Sequence, residues 1–205
     1  MRKLIFFLGG AGAGKTTLAK ALAKRRGAAL FDMDTLSRPA SEAIMSLSGL
    51  DPSDRDSPVY KTKCRDLGYR LTMNAALENV EIGTDAVVIG PFTREMGDPA
   101  WLETELARIG ASPRDVDVKV VVVYLQDVEA YRARIRGRAS VLDEWKLAHW
   151  DEFSGSLMTD RKVEWNLPAN SILYFDNAGP LSPDKIAQLE RFIYGDNVAD
   201  QGDHR

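Results

Sequence analysis

The chain has 205 residues, of which 44% are hydrophobic, and its 27 basic and 30 acidic residues leave a formal net charge of −3. This size and composition are typical of one folded domain, the near-balanced charge argues against a nucleic-acid partner, and no apolar run approaches the roughly 20 residues of a membrane span. One cysteine, Cys64, excludes an internal disulfide and, with only two histidines, a Cys/His zinc site, so we expect a cytoplasmic protein.

A glycine-rich loop follows the first predicted strand, the apolar run at residues 4–8. Residues 9–16 read GGAGAGKT, which is the pattern G-x-x-x-x-G-K-[ST] of a phosphate-binding loop between a strand and a helix. Glycines let backbone N–H groups approach a triphosphate, and the next helix adds its free N–H groups and the positive end of its dipole. The nucleotide-binding residues predicted here are Gly10, Ala11, Gly12, Ala13, Gly14, Lys15, Thr16 and Thr17.

Two residues of this loop have specific predicted roles. Lys15 is expected to reach the β- and γ-phosphates of ATP, and the hydroxyl of Thr16 is expected to bind Mg²⁺. A predicted helix over 16–26, ended by Gly27, and a short strand over 28–31 complete a strand–helix–strand unit. Such a unit favours a parallel sheet.

The next part of the chain is predicted to be mainly helical. A short helix is expected over 40–48, followed by a polar, turn-rich stretch over 49–58. One long helix is expected to begin at Ser57-Pro58, a cap followed by a first-turn proline, and to end at about residue 79. Its predicted buried stripe, at steps of three and four, consists of Tyr60, Cys64, Leu67, Leu71 and Ala75.

Three further apolar runs complete the predicted sheet, at residues 85–90, 118–125 and 170–175. The helices expected around them cover 99–109, a stretch capped by Asp127, 142–153, and a last helix capped by Ser182. Five strands alternating with helices predict an α/β fold, a three-layer α/β/α sandwich around a five-stranded parallel sheet. Ligands of such sheets bind at the carboxyl ends of the strands.

These motifs resemble the small P-loop kinases related to nucleoside monophosphate kinases, over most of the chain to about Ile193. The FDMD sequence at 31–34 is similar to the D-x-D of shikimate, gluconate and adenylylsulfate kinases. The GPFTR sequence at 90–94 is similar to the strand-end stretch of adenylylsulfate kinases. The arginine-rich stretch at 134–138 resembles the helix that leads into the lid of this group, and residues 143–147 fall where the lid closes.

The resemblance implies one P-loop kinase domain over residues 1–195, with a polar tail over 196–205. Within the domain it implies a small helical lid at about 136–160 and an acceptor-binding insertion at about 37–81. The implied activity is transfer of the γ-phosphate of ATP, with Mg²⁺, to a hydroxyl group of a small molecule.

The resemblance also assigns roles to the aspartates that follow the second strand. Asp34 matches the second aspartate of the family pattern and is expected to contact the acceptor and take the proton of its hydroxyl group. Asp32 is expected to lie nearer the metal and hold a Mg²⁺-bound water. The alternative interpretation of both is a turn or helix-capping aspartate.

Five further residues have candidate ligand contacts. Arg134 and Arg138 are expected to contact the transferring phosphoryl group, the alternative being a solvated helix flank. Arg38 and Arg94 follow strand ends on the acceptor side, and if both point inward the acceptor carries an anionic group. Asn177 lies in the loop over 176–179, where adenine is expected to rest mostly on backbone atoms.

Two other classes of function stay open. One is a kinase of a polynucleotide end or a nucleotide sugar, similar to zeta-type toxins. The other is a nucleotide-binding ATPase switch without an acceptor. The sequence argues against this switch, because it lacks N-K-x-D and has no Walker-B aspartate after the 85–90 strand. The acceptor, the nucleotide preference and the choice between monomer and homodimer are not fixed by the sequence.

Overall fold

A computed structural model describes residues 1–157 and 162–195 of the chain. Its centre is a five-stranded sheet in the order β2-β3-β1-β4-β5, with every neighbouring pair parallel. The strands are β1 (Lys3–Leu8), β2 (Ala29–Asp32), β3 (Ala86–Ile89), β4 (Asp117–Tyr124) and β5 (Ile172–Asp176).

Helices cover both faces of this sheet. They are α1 (Lys15–Arg26), α2 (Met33–Leu47), α3 (Pro58–Lys63), α4 (Arg65–Glu81), α5 (Trp101–Ala107), α6 (Val128–Gly137), α7 (Glu144–Ala148), α8 (Trp150–Ser154) and α9 (Pro183–Tyr194). Side chains of β1 alternate between two buried clusters: Leu4 and Phe6 face residues of α4 and α5, whereas Ile5 and Phe7 face residues of α1, α6 and α9. Because both faces of β1 are buried, its sequence is continuously apolar. The predicted fold class, a three-layer α/β/α sandwich, is confirmed.

Helix α2 begins seven residues earlier than expected, at Met33 rather than at residue 40. Asp32 is the last residue of β2. Its carboxylate caps α2 by accepting a hydrogen bond from the N–H of Asp34 at 3.0 Å. Pro39 lies inside the helix, where it removes one backbone donor without ending the helix. As a result, Asp34 and Arg38 are on one helix, a single turn apart.

The long helix predicted over 58–79 is two helices, because the chain turns at Cys64 between α3 and α4. The predicted buried stripe is wrong after this break. Leu71 is exposed, and the buried residues of α4 are Gly68, Tyr69, Thr72, Met73, Ala76, Leu77 and Val80. A single helical period does not continue across a break, so the break changes which residues of α4 face the sheet.

The helix predicted over 142–153 is likewise divided, into α7 and α8, at His149. The last expected lid residues, 158–160, and the expected tail, 196–205, lie outside the described residues. Among the residues that the structure describes, no helix is long and apolar enough to span a membrane.

Gly9 occupies the tightest backbone position at the end of β1. Its φ angle is +137°, and a Cβ atom there would lie 2.1 Å from the carbonyl oxygen of Val123 on β4. Gly83 also has a positive φ, +94°, but a Cβ atom there would meet nothing within 4 Å. The two glycines therefore separate the effect of the backbone angle from the effect of the close contact.

We expect Gly9→Ala to lower the free energy of unfolding by about 3 kcal/mol, because it adds a backbone clash to the strain of a positive φ. The control, Gly83→Ala, has the strain alone and is expected to cost about 1 kcal/mol. Chemical denaturation of both variants measures the difference. Equal losses would show that the contact with Val123 does not constrain this position.

Candidate active site

A cavity of about 1020 Å³ opens at the carboxyl ends of the strands. Its walls come from the phosphate loop, the first turns of α2, the segment after β3, the loop after β5, and the region from α6 through α8. Most of the residues predicted to act on ligands line this one cavity. They are Gly10, Ala11, Gly12, Gly14, Lys15, Thr16, Thr17, Asp32, Asp34, Arg38, Arg134, Arg138 and Asn177.

The phosphate loop is curled around the side chain of Lys15. Gly12 and Gly14 have φ angles of +88° and +92°, which favour glycine. The ammonium group of Lys15 donates a hydrogen bond to the carbonyl oxygen of Gly10 at 2.9 Å. The loop therefore holds its cation at its own centre, where a polyphosphate would lie.

Lys15 loses its proton at a lower pH than an ordinary lysine does. The pKa of Lys15 is lowered to about 8, mainly because the group is buried and also because Arg138 and Lys146 are positively charged, while the charges of Asp34 and Asp32 oppose this lowering. An anion bound beside this ammonium group would favour its charged form.

Thr16 and Asp32 are joined across the base of the cavity. The hydroxyl of Thr16 donates to Oδ2 of Asp32 at 3.0 Å, while Oδ1 of the same carboxylate accepts the N–H of Asp34. Asp32 therefore does cap a helix, and it also presents an oxygen beside the hydroxyl of the phosphate loop. A hydroxyl and a carboxylate oxygen are hard donors of the kind that Mg²⁺ takes together with water, so these residues fit that metal.

Asp34 and Arg38 face the cavity from consecutive turns of α2, and both are exposed. Arg94 is exposed as well, but it does not line the cavity. Its neighbour Phe92 explains this position: the ring of Phe92 is fully buried, and its N–H donates to the hydroxyl of Tyr69 at 3.1 Å. This anchor fixes the segment after β3 and leaves Arg94 outside the site.

Arg55, which no sequence pattern singled out, lines the cavity beside α2. It lies in the turn-rich stretch before α3, and its guanidinium group donates to the hydroxyls of Ser41 and of Tyr60, the latter at 3.1 Å. No local pattern marks this arginine, because its position depends on how the insertion folds back on α2. Arg38 and Arg55 therefore both line the cavity, and the contact of Arg94 with an acceptor stays a prediction.

Arg134 is occupied by backbone carbonyl groups. It donates to the carbonyl oxygens of Ala13 at 3.1 Å, Asn177 at 2.7 Å and Gly179 at 2.9 Å. The buried side chain of Asn177 also donates to Ala13, at 2.9 Å. Both residues therefore join the phosphate loop to the loop after β5, and their predicted contacts with ligands stay predictions.

Lys185, on α9, supports the same loop from the other side and was also missed. Its ammonium group donates to the side-chain oxygen of Asn177 at 2.9 Å and to the carbonyl oxygen of Ala178 at 2.7 Å. A lysine in the first turn of a helix has no sequence signal for such a role.

Arg138 and a second cation, Lys146, which no motif singled out, line the cavity from the region of the predicted lid. Both flank Asp143, whose side chain is 5% exposed. Lys146 donates to Oδ1 of Asp143 at 2.6 Å, and Nε of Arg138 lies 3.7 Å from Oδ2. One buried carboxylate thus holds two cations at the wall of the cavity.

No protein-family model matches the chain, and no curated protein sequence matches it. Solved structures, in contrast, do match the chain. The chain is similar to a sugar kinase from Janibacter, with 16% identity, a TM-score of 0.57, and coverage of 95% of this chain and 97% of that one.

Two other solved structures give comparable agreement. A putative kinase from Chloroflexus aurantiacus has 17% identity and a TM-score of 0.58, over 94% of this chain and 98% of that one. A tunicamycin resistance protein from Deinococcus radiodurans has 17% identity and a TM-score of 0.54, over 93% and 94%. At these identities the likeness establishes the fold, so the chain has the fold of the small P-loop kinases.

The low pKa of Lys15 makes nucleotide binding depend on pH. Below pH 8 the lysine is already charged, whereas above it a bound polyphosphate must restore the proton, so affinity falls as pH rises. We expect the affinity for ADP to weaken about tenfold between about pH 7.5 and pH 9.5, measured by calorimetry.

The matched variant is Lys15→Arg, which keeps its charge over this range and is expected to give a flatter profile. A flat profile for the unmodified protein would contradict the lowered pKa.

Proposed function

We propose that this protein transfers the γ-phosphate of ATP, with Mg²⁺, to a hydroxyl group of a small molecule. One observation carries the proposal. The same cavity contains a complete phosphate loop and an exposed carboxylate that forms no salt bridge with another side chain among the residues that the structure describes. Asp34 supplies that carboxylate, beside Lys15, and Arg38 follows it by one helical turn.

In the proposed reaction the acceptor oxygen attacks the γ-phosphorus, and the bond from that phosphorus to the β–γ bridging oxygen breaks. The proton of the acceptor hydroxyl moves to the carboxylate of Asp34, and ADP leaves. Lys15 and Arg138 offset the negative charge on the phosphoryl oxygens. Positioning accounts for most of the rate, because phosphoryl transfer needs little covalent help from the protein.

Thr16 and Asp32 would hold Mg²⁺ beside the phosphate loop, Asp32 through a bound water. When bound, the metal supplies positive charge to the β- and γ-phosphate oxygens. The other oxygen of Asp32 accepts a hydrogen bond from the N–H of Asp34, so the proposed metal site and the proposed base are close together along the chain.

The solved structures similar to this chain support a small acceptor, since one of them is a sugar kinase and another a putative kinase. The cavity volume of about 1020 Å³ is at the upper end for ligand sites, which suits a nucleotide with a small acceptor beside it. Arg38 and Arg55 on the acceptor side favour an acceptor with an anionic group.

The test is a screen for acceptor-stimulated ADP release over hydroxyl metabolites, sugars, nucleosides, aminoglycosides and tunicamycin. The proposal expects ADP release to rise in proportion to a phosphorylated product that mass spectrometry detects. ADP release that no acceptor stimulates would favour the ATPase switch. Salt-sensitive binding of an oligonucleotide would favour the polynucleotide kinase.

Asp34→Asn is expected to lower the transfer rate by a factor of about 10² to 10⁴, because the amide cannot take the acceptor proton. Affinity for ADP should change less than about threefold, since Asp34 contacts the acceptor rather than the nucleotide. The control, Asp66→Asn, removes an exposed carboxylate outside the cavity and is expected to leave both unchanged. Transfer by Asp34→Asn at the unmodified rate would exclude this residue as the base.

A further inference from the structure

In the cluster of Arg138, Asp143 and Lys146, a single buried carboxylate at the wall of the cavity pairs with two cations. The Asp143 side chain is 5% exposed, and it accepts a hydrogen bond from Lys146 at 2.6 Å while it pairs with Arg138 at 3.7 Å. The cluster therefore carries one positive charge in excess. A cluster with an excess positive charge that faces a cavity attracts a further anion.

The excess charge faces the phosphate loop. Arg138, Asp143 and Lys146 all line the same cavity as Lys15, and the charges of both lid cations are felt at Lys15, where they oppose its protonation. Lys146 also acts on Asp56 of the acceptor-binding insertion, where its charge counters the rise in pKa that burial causes. Lys146 thus lies between the phosphate loop and the acceptor side of the cavity.

Arg134 is placed differently. Its two terminal nitrogens already donate to three carbonyl oxygens, at Ala13, Asn177 and Gly179. Those carbonyl groups belong to the phosphate loop and to the loop after β5, away from the acceptor side. Arg134 therefore braces these two loops, a role that the contacts of Lys146 do not share.

We propose that Lys146 is a lid cation that contacts the γ-phosphate, and that buried Asp143 is the positioning residue that holds Lys146 and Arg138 over the phosphate loop. This inference rests on the proposed function, because it assigns residues to the triphosphate end of the same site. Lys146 contacts the ligand, whereas Asp143 acts through the two cations.

The anchor of Lys146 supports this division of roles. Besides Asp143, its ammonium group donates to the carbonyl oxygen of Leu142 at 3.0 Å, and 20% of its side chain is exposed. An ammonium group has three donors, so two protein contacts leave one donor for a phosphate oxygen. The short sequence distance from Asp143 to Lys146 lets both be set by the first turn of α7.

The experiment compares the affinities for ADP and for AMPPNP, a non-hydrolysable analogue of ATP, in the presence of Mg²⁺, by calorimetry. Lys146→Met is expected to weaken AMPPNP binding at least about tenfold, as expected for one charge-assisted hydrogen bond. ADP binding should change less than about threefold, because ADP has no γ-phosphate. Lys146→Arg is expected to restore most of the AMPPNP affinity.

Arg136→Met is the matched control, because it removes an exposed arginine from α6 that does not line the cavity. It should leave both affinities unchanged. Equal weakening of ADP and AMPPNP by Lys146→Met, or no weakening at all, would overturn the assignment of Lys146.

The role of Asp143 is tested by Asp143→Asn alone and in combination with Lys146→Met. If Asp143 acts through Lys146, the loss of AMPPNP affinity that Asp143→Asn causes is smaller when Lys146 is already absent. Additive losses would show that Asp143 only stabilises the fold and would overturn its positioning role. AMPPNP binding needs no acceptor, so these results stand apart from the failure or success of phosphate transfer.

Discussion

The carbonyl oxygen of Ala13 accepts hydrogen bonds from the amide of Asn177 at 2.9 Å and from the guanidinium group of Arg134 at 3.1 Å. This double contact ties the phosphate loop to α6 and to the loop after β5. Gly14 makes the contact possible, because a Cβ atom there would lie 2.4 Å from the Asn177 amide. The phosphate loop, α6 and the loop after β5 are therefore held together at one peptide group.

The cavity concentrates positive charge in a protein whose formal net charge is −3. Its cations are Lys15, Arg38, Arg55, Arg134, Arg138 and Lys146, and its carboxylates are Asp32, Asp34 and Asp143. A cleft with an excess of one sign attracts polyanions along its field and raises their local concentration. A negative net charge on the whole chain is therefore compatible with one site that attracts a polyanion.

The sheet and the phosphate loop could be predicted because their signals are local. Continuous apolar runs mark buried parallel strands, and the spacing from Gly9 to Thr16 fixes the loop. Lys146 and Arg55 could not be found, because their places depend on how distant segments fold back on the cavity. The placing of Arg94 away from the cavity walls had no signal for a related reason: a strand-end position does not reveal that Phe92, two residues earlier, is anchored in the core.

The contacts of Lys185 connect the loop after β5 at the edge of the cavity with α9. This lysine does not line the cavity, yet it holds the Asn177 side chain that in turn supports the phosphate loop. A fragment ending before α9 would keep every residue of the glycine-rich motif and lose this support. The support of the phosphate loop therefore reaches beyond the loop's own motif, through two hydrogen bonds, to a helix near the other end of the described residues.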